Sequence, residues 1–246
     1  MISERLTELE MFSRPAQPLV LMEHPLFSVM PSVVRSLIST EACQMTLVPG
    51  QEVPEDSLIL VMKGLLGLFD AKTGAAGGVI GPRAVLAGSA NASQASSTIG
   101  RAIVETQVYA LPLSSLSQTC GTRWTLRFAA VHASSRARLM GVEQVCRQAH
   151  SPTERLAKWC LRLSPSLVES DLSLSPAILA ELVGLSEAGF KETWGQLAAD
   201  GNLPQHPGDF KALNLEGLKV RACCCDQSLH DGGIERRSRR RLPRRA

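Results

Sequence analysis

Three consecutive cysteines, followed by His230, are the side chains in this sequence most suited to metal or redox chemistry. Thiolates and imidazoles are usual ligands of zinc and of iron–sulfur clusters, but adjacent cysteines rarely chelate one ion together, and this spacing fits no common ligand pattern. We therefore predict no metal site and no cofactor. A thiol cluster can instead respond to oxidants, and the candidates for a redox role are Cys223, Cys224 and Cys225.

The remaining side chains form no pattern that indicates catalysis. The other four cysteines are dispersed in apolar or helical stretches, and we expect buried structural residues at Cys43, Cys120, Cys146 and Cys160. The other four histidines have no partner at metal-ligand spacing. No Ser-His-Asp triad, pair of carboxylates or phosphate-binding loop stands out, so we predict that the protein is not an enzyme.

A short C-terminal segment determines the net charge of +3. Seven of the 26 basic residues are arginines within residues 236–246, so the rest of the chain has 19 basic against 23 acidic residues and a net charge of −4. The segment has no apolar periodicity and is predicted to be disordered. It could bind nucleic acid loosely through phosphates, or it could be a solvated tail without a role.

The composition indicates a globular protein of one or two domains, since 44% of its residues are hydrophobic. No apolar run reaches the ~18 residues that a membrane-spanning helix needs, and the N-terminus lacks a secretory pattern. We expect a cytoplasmic protein with reduced cysteines and no membrane partner.

Residues 151–203 predict a helix, a short strand and a helix–turn–helix. The two helices of this motif meet at Gly184, because glycine can take the positive φ that a tight turn needs. Ser175 and Ser186 are the predicted N-caps of these helices. The second helix is expected to bury Phe190, Trp194 and Leu197, which leaves its other face for the DNA major groove.

Residues 204–211 predict the hairpin turn of a wing between two short strands. The inner face of this wing is expected to comprise Phe210, Leu213 and Leu215. An ordinary helical hairpin remains the alternative interpretation of the segment. For the DNA-binding interpretation, with double-stranded DNA as the partner, the predicted contacts are Ser175, Ser186, Glu187, Ala188, Lys191, Glu192, Thr193 and Lys211.

The N-terminal part predicts an amphipathic helix within residues 24–41, followed by many short strands. The β-prone runs cover residues 45–48, 58–62, 65–69, 78–80, 102–104 and 108–111, and glycine and proline separate them. Short strands at this spacing are typical of a sandwich or a small rolled barrel.

A single long helix is predicted for residues 116–149. Its apolar and small residues recur at alternating steps of four and three, which is the heptad pattern of paired helices. This stripe comprises Leu126, Ala130, Ala133, Ala137, Met140 and Gln144. The helix could pack on the chain's own barrel instead, but we predict a homodimer, in which two helix–turn–helix units would lie one DNA turn apart.

A rolled β domain, a long pairing helix and a winged helix in this order resemble the Crp/Fnr family of bacterial transcription regulators over residues 24–230. The segment from Cys146 to Trp159 is similar to a Cys-Asn-x-x-His-Ser-x-x-Glu-x-Arg-Leu-x-x-Trp stretch of one branch. Residues 210–225 are similar to that branch's wing strand, Glu-Gly-Leu helix and terminal Cys-x-Cys. The resemblance implies a dimeric DNA-binding regulator whose β-roll responds to an effector or partner.

The implied fold is α+β, with an N-terminal cyclic-nucleotide-binding-like β-roll, a central dimerisation helix and a C-terminal winged helix–turn–helix. The expected divisions are an extension at 1–20, the β-roll at 21–115, the dimerisation helix at 116–149, the DNA-binding domain at 150–222, and a cysteine cluster with the basic tail at 223–246.

The roll departs from the family's cyclic-nucleotide binders, which use a Gly-Glu pair for the ribose and an Arg-Ser pair for the phosphate. Here these sites contain Gly88-Ser89 and Ser96-Ser97. Because a buried phosphate without a cation is costly, we predict that the roll does not bind cyclic nucleotide in the usual way. The candidate pocket for an unknown small-molecule effector comprises Gly88, Ser89, Ser96, Ser97 and Arg101, although Arg101 could be structural or solvent-exposed.

The predicted recognition helix departs from the family as well. Glu187 and Glu192 stand where family members often carry arginines, and Lys191 is the one basic residue from Ser186 to Thr193. Carboxylates repel phosphates, so few phosphate contacts are expected from this helix. The alternative to a DNA-binding regulator is therefore a degenerate relative that acts through protein–protein contact or heterodimerisation.

Overall fold

The computed structural model describes residues 14–15, 24, 27, 30–82, 84–88, 98–169 and 172–225. The strands are β1 (Arg14–Pro15), β2 (Cys43–Leu47), β3 (Ser57–Lys63), β4 (Leu66–Asp70), β5 (Ala76–Ile80), β6 (Val85–Ala87), β7 (Thr98–Ala102) and β8 (Thr106–Pro112). The α-helices are α1 (Ser32–Glu41), α2 (Leu113–Cys120), α3 (Thr122–Ala149), α4 (Pro152–Glu169), α5 (Pro176–Val183), α6 (Glu187–Ala199) and α7 (Leu215–Arg221).

The strands form two antiparallel sheets that enclose the core of the β-roll. One sheet has the strand order β1-β2-β8-β3-β6, and the other has the order β5-β4-β7. The space between them is filled by apolar side chains of both sheets, including Ile59, Val61, Leu66, Leu68 and Val108. Strand β6 was not predicted from the sequence. The strand predicted at 102–104 is misplaced, because β7 ends at Ala102 and is followed by bends.

The larger sheet is covered on its outer face by α1 and α2, so its central strands are buried on both sides. Successive side chains of a strand point to opposite faces. Accordingly, Ile59 and Val108 face the core of the roll, while Leu58 and Tyr109 pack with the two helices. Strands β3 and β8 are therefore apolar over consecutive residues, whereas a half-exposed strand would alternate apolar and polar residues.

The long helix predicted from residue 116 is interrupted at Gly121. This glycine has φ +86°, which ends α2 and begins α3 one residue later. A left-handed residue is costly for any side chain except glycine, and this explains the position of the break. The central helix is thus the 28-residue α3, roughly 40 Å long.

The helix–turn–helix has the geometry that its sequence predicts. Ser175 caps α5 by accepting a hydrogen bond from the amide of Ile178, and Ser186 caps α6 through the amide of Gly189. Between the two helices, Gly184 has φ +75°. Upstream, Ser151 and Glu154 form the reciprocal hydrogen bonds of a capping box at the start of α4.

The predicted wing hairpin is wrong, since residues 204–209 form turns that lead into a 3-10 helix at Phe210–Ala212. Phe210 is buried as expected, but Leu215 is 44% exposed at the start of α7, and Leu213 is only partly buried. The described part of the link between α4 and α5, residues 172–175, does not form the strand expected before the helix–turn–helix.

The roll and the helical domain share one continuous apolar cluster. Phe69, Ala76 and Ile103 of the roll belong to the same cluster as the buried faces of α4, α5 and α6. Arg147 of α3 donates a hydrogen bond to the carbonyl of Ala76 and lies against Gly184. The helix–turn–helix is therefore held directly against the three-stranded sheet.

Replacing Gly184 by alanine should destabilise the protein by about 1–2 kcal/mol, because the turn needs a left-handed backbone. In addition, a Cβ there would lie 3.0 Å from Nε of Arg147. The matched control is Gly195→Ala in α6, where a Cβ meets no atom within 4 Å. That change should stabilise by about 0.5–1 kcal/mol. Urea unfolding of both variants measures the difference, and equal midpoints would contradict the assigned role of Gly184.

Candidate nucleic-acid interface

Helix α6 is fixed in the domain by its aromatic side chains. Phe190 and Trp194 are each 2% exposed, and their ring centroids lie 5.6 Å apart. The indole Nε1 of Trp194 also donates a hydrogen bond of 2.8 Å to the carbonyl of Pro204. These contacts orient α6 so that its opposite face is directed to solvent.

The solvent-directed side of α6, here called the recognition face, contains most of the residues predicted to contact DNA. It comprises Ser186, Glu187, Ala188, Lys191 and Glu192, all of them exposed. Ser175 and Lys211 are exposed as well, outside α6. Thr193 does not belong to this surface, because it is 5% exposed and its hydroxyl donates to the carbonyl of Gly189.

The charges of the recognition face disfavour phosphate binding. The ammonium of Lys191 lies 2.6 Å from Oε1 of Glu187 in an exposed pair. The hydrogen bond and the charge of Lys191 hold the pKa of Glu187 below its ordinary value, so this carboxylate is charged at neutral pH. With Glu192 also exposed, the face has two carboxylates and one ammonium.

The roll contains a pocket at the position expected for an effector, but a different arginine reaches it. The pocket is small, with a free volume of about 20 Å³, and its lining includes Val53, Leu86, Ala87, Gly88, Gly100 and Arg136. That volume holds roughly one water molecule. Arg136 comes from α3, is 6% exposed and donates a hydrogen bond to the carbonyl of Ala87. Burial lowers the pKa of its guanidinium. Ser89, Ser96 and Ser97 lie outside the described residues.

Arg101 does not line this pocket, which corrects its place among the candidate effector residues. The pocket is lined by the preceding residues of β7, Thr98 to Gly100, but not by Arg101, whose side chain contacts other groups. Its guanidinium lies 3.9 Å above the ring of Phe69, and it forms an ion pair of 2.5 Å with Glu181 of α5. Arg101 thus connects the roll to the helix–turn–helix.

The stripe predicted to pair two copies of α3 is largely exposed. Leu126 is 37% exposed, and the other exposed members are Ala130, Ala133, Ala137 and Gln144. Met140 differs, because it packs directly on Gly77 of β5 and is half-buried. The adjacent side of α3 buries Ala129, Arg136 and Glu143 in the chain's own fold.

A buried ion-pair network joins α3 to α4 beneath the helix–turn–helix. The carboxylate of Glu143 lies 2.6 Å from the ammonium of Lys158 and 2.8 Å from the guanidinium of Arg162. The side chains of Glu143 and Lys158 are each 2% exposed. The network was not predicted from the sequence. Its only sign there is one charged residue, Glu143, on the buried side of α3.

The structure brings Cys146 together with two cysteines that lie far from it in the sequence. Cys146, Cys223 and Cys225 place their sulfur atoms within 4.8 Å of one another, and we call them the cysteine cluster. Burial is the main reason that the pKa of the Cys225 thiol is raised to about 12. Cys224, the third redox candidate, is exposed and lies outside the cluster. Sequence reasoning treated Cys146 as an isolated structural residue.

The architecture occurs in solved structures of bacterial regulators. A protein described as a transcriptional regulator of the Crp/Fnr family from Eubacterium rectale aligns with a TM-score of 0.61 and 13% identity, covering 80% of this chain and 97% of that chain. FixK2 from Bradyrhizobium japonicum aligns with a TM-score of 0.57 and 18% identity, covering 74% and 98% of the two chains. The chain has the Crp/Fnr fold.

A CRP-family transcriptional regulator from Thermus thermophilus gives a TM-score of 0.54 at 14% identity, with coverage of 72% of this chain and 96% of that chain. The expected order of β-roll, central helix and helix–turn–helix is confirmed by these Crp/Fnr structures. The sequence matches no protein-family model and no curated protein. Among the described residues, no helix has both the length and the apolar character needed to cross a membrane.

Removing the Glu143 carboxylate should destabilise the fold strongly. Glu143→Ala leaves the buried Lys158 ammonium without its counter-charge, and the loss of one partner of a buried ion pair costs about 3–5 kcal/mol. Chemical denaturation measures the change in the free energy of unfolding. The control is Glu187→Ala, which removes a carboxylate from an exposed ion pair and should leave the midpoint nearly unchanged. Similar midpoints for the two variants would contradict the importance of the network.

Proposed function

We propose that the protein is a dimeric, DNA-binding transcription regulator in which α6 is the recognition helix. The observation that carries this proposal is the orientation of α6, whose buried Phe190 and Trp194 leave the recognition face open to solvent. A capped helix held in this way after a tight turn is the element that other helix–turn–helix proteins insert into the major groove. The solved proteins of the same fold that are described as transcriptional regulators support this function.

The dimer would form through the exposed stripe of α3. Small side chains such as Ala130, Ala133 and Ala137 allow two helices to approach closely. Two copies of α6 related by the twofold axis would then contact successive half-sites of DNA.

Binding should depend on base contacts more than on charge, because the recognition face has one ammonium and two carboxylates. Ser186 and Lys191 can donate hydrogen bonds to base edges or phosphates, and a glutamate can accept from the amino group of cytosine. Lys211 and the arginines of residues 236–246 would add phosphate contacts. The roll pocket has room for roughly one water molecule, so an effector other than a cyclic nucleotide bound in the usual way would have to widen it, with Arg136 as its cation.

The same charges favour a second candidate function, in which the protein does not bind DNA and acts through protein contacts. Lys191 is paired with Glu187 on the same helix, so a phosphate would have to compete for it. In this function α6 would bind a basic protein surface, or α3 would pair with a DNA-binding relative.

Selection of genomic fragments by the full-length protein distinguishes these functions. We expect enrichment of one class of promoter sequence and a weaker affinity for Lys191→Ala. The salt slope should fall by about 0.9 for each phosphate that a variant no longer neutralises. Glu192→Gln should strengthen binding to any duplex, because it removes a repulsive charge. Lys219→Ala in α7 removes an exposed ammonium outside the helix–turn–helix and is the matched control.

Deleting residues 236–246 separates recognition from tail electrostatics. The truncated protein should bind the enriched sequence more weakly but with its preference retained. Loss of all preference, or no enrichment by the intact protein at low salt, would contradict the DNA-binding proposal and favour the protein-contact function.

Charges placed in the α3 stripe should prevent dimer formation. Ala133→Glu combined with Ala137→Glu brings carboxylates together where two α3 helices would meet, and we expect a monomer in sedimentation equilibrium. Ser135→Glu is the control, since two residues advance a helix by roughly 200° and place this exposed residue on the other side. A wild-type protein that is monomeric at every concentration, or a double variant that still dimerises, would contradict the proposed interface.

A further inference from the structure

The cysteine cluster lies where the end of the central helix meets the end of the described chain. Cys146 is in the last turn of α3, and Cys223 and Cys225 follow α7. The sulfur atoms of Cys146 and Cys223 are 3.5 Å apart, although 77 residues separate them in the sequence. Three thiols from two distant segments therefore converge on one point.

The spacing of the three sulfur atoms suits a single metal ion. Zinc–sulfur bonds are about 2.3 Å long, so two thiolates on one tetrahedral ion lie roughly 3.8 Å apart. The sulfur atoms of the cluster are all within 4.8 Å of one another, so small side-chain movements would bring them to one ion. A disulfide would use only two of these thiols and would leave the convergence of the third unexplained.

The charge around the cluster is opposite in sign to that of a divalent ion bound by three thiolates. Such a group has a net charge of −1. The ammonium of Lys158 lies 3.2 Å from the sulfur of Cys146, and Lys158 belongs with Glu143 and Arg162 to the buried network. That network has a net charge of +1, and Arg147 is a further cation near Cys146, so the surroundings favour a bound group of negative charge.

A hydrogen bond within the segment after α7 also supports metal binding. The amide of Cys225 donates to the sulfur of Cys223, and amide hydrogen bonds to sulfur are a common way in which proteins support metal-bound thiolates. Cys224, between them, is directed to solvent. The Cys-x-Cys segment thus presents its first and third thiols inward.

We propose that Cys146, Cys223 and Cys225 bind one thiophilic divalent cation, for which zinc is the reference. Binding replaces three S–H bonds by three S–metal bonds and releases three protons to solvent, with no change of oxidation state. The fourth position of the ion is left for water or another ligand. The ion would tie α3 to the segment after α7. Because α7 itself packs on α4, the ion would thereby fix the helical domain against the central helix.

Zinc binding by the full-length reduced protein tests this site without any assay of DNA binding. Competition with a chromogenic chelator should show one tight equivalent per chain. Replacement of Cys146, Cys223 or Cys225 by serine should weaken zinc affinity by at least about 100-fold, since even the loss of an outer-shell partner costs roughly 10–100-fold. Cys224→Ser is the matched control and should retain the wild-type affinity.

X-ray absorption of the zinc-loaded wild-type protein provides a readout that does not depend on folded variants. We expect a shell of three sulfur atoms at about 2.3 Å. Fewer sulfur ligands, no tight equivalent, or loss of zinc in Cys224→Ser would overturn the proposal. If zinc does not bind but a mild thiol oxidant links Cys146 to Cys223, the cluster is a redox pair and the metal site is likewise overturned.

Discussion

The buried carboxylate of Glu143 is the contact on which the position of the helical domain depends. Only His150 and Ser151 separate α3 from α4, so the relative orientation of these helices is determined by the contacts between them. Glu143 pairs across this junction with Lys158 and Arg162. Since a buried charge without a partner is strongly unfavourable, any rotation that separates these groups is opposed. The capping box at Ser151 begins α4 at a defined residue beside the junction.

The buried side and the exposed side of α6 are subject to different constraints. The buried side of α6 is determined by packing, and Phe190, Trp194 and Leu197 satisfy that requirement. The exposed side is not constrained by the core, so Glu187 and Glu192 cost little stability there. Such a surface would gain little from nonspecific attraction to DNA, and its selectivity would have to come from hydrogen bonds and from the fit of two half-sites.

Local features of the sequence predicted the local features of the structure. Ser175, Gly184 and Ser186 were identifiable because caps and left-handed turns depend on single residues. The apolar periodicity of α4 and α6 was sufficient to identify their buried faces. The break at Gly121 was missed because the heptad stripe begins only at Leu126, and the predicted helix was extended upstream from it, across this glycine, to residue 116.

Contacts between distant segments could not be predicted in this way. Arg101 and Glu181 are 80 residues apart, and nothing in either local pattern indicates their ion pair. The same holds for Cys146 and Cys223, and for Arg136 in the roll pocket. The wing was predicted from its turn residues and from the apolar residues Phe210, Leu213 and Leu215, but the segments around them form helical turns instead of strands. The recognition face and the buried face of α6 were therefore predicted from the sequence, while the contacts between distant segments that hold the domain in place were not.

The apolar cluster shared by the roll and the helix–turn–helix has a consequence for the conformational equilibrium. Moving α5 and α6 away from the three-stranded sheet would expose Phe69, Ala76 and Ile103 to water. This exposure has an unfavourable free energy of about 25 cal/mol for each Å² of apolar surface. An effector can supply that free energy only through different affinities for the docked and undocked states. A signal that acts on the roll would therefore have to overcome the free energy of exposing this apolar surface. Without such a signal, the docked state would be the more populated one.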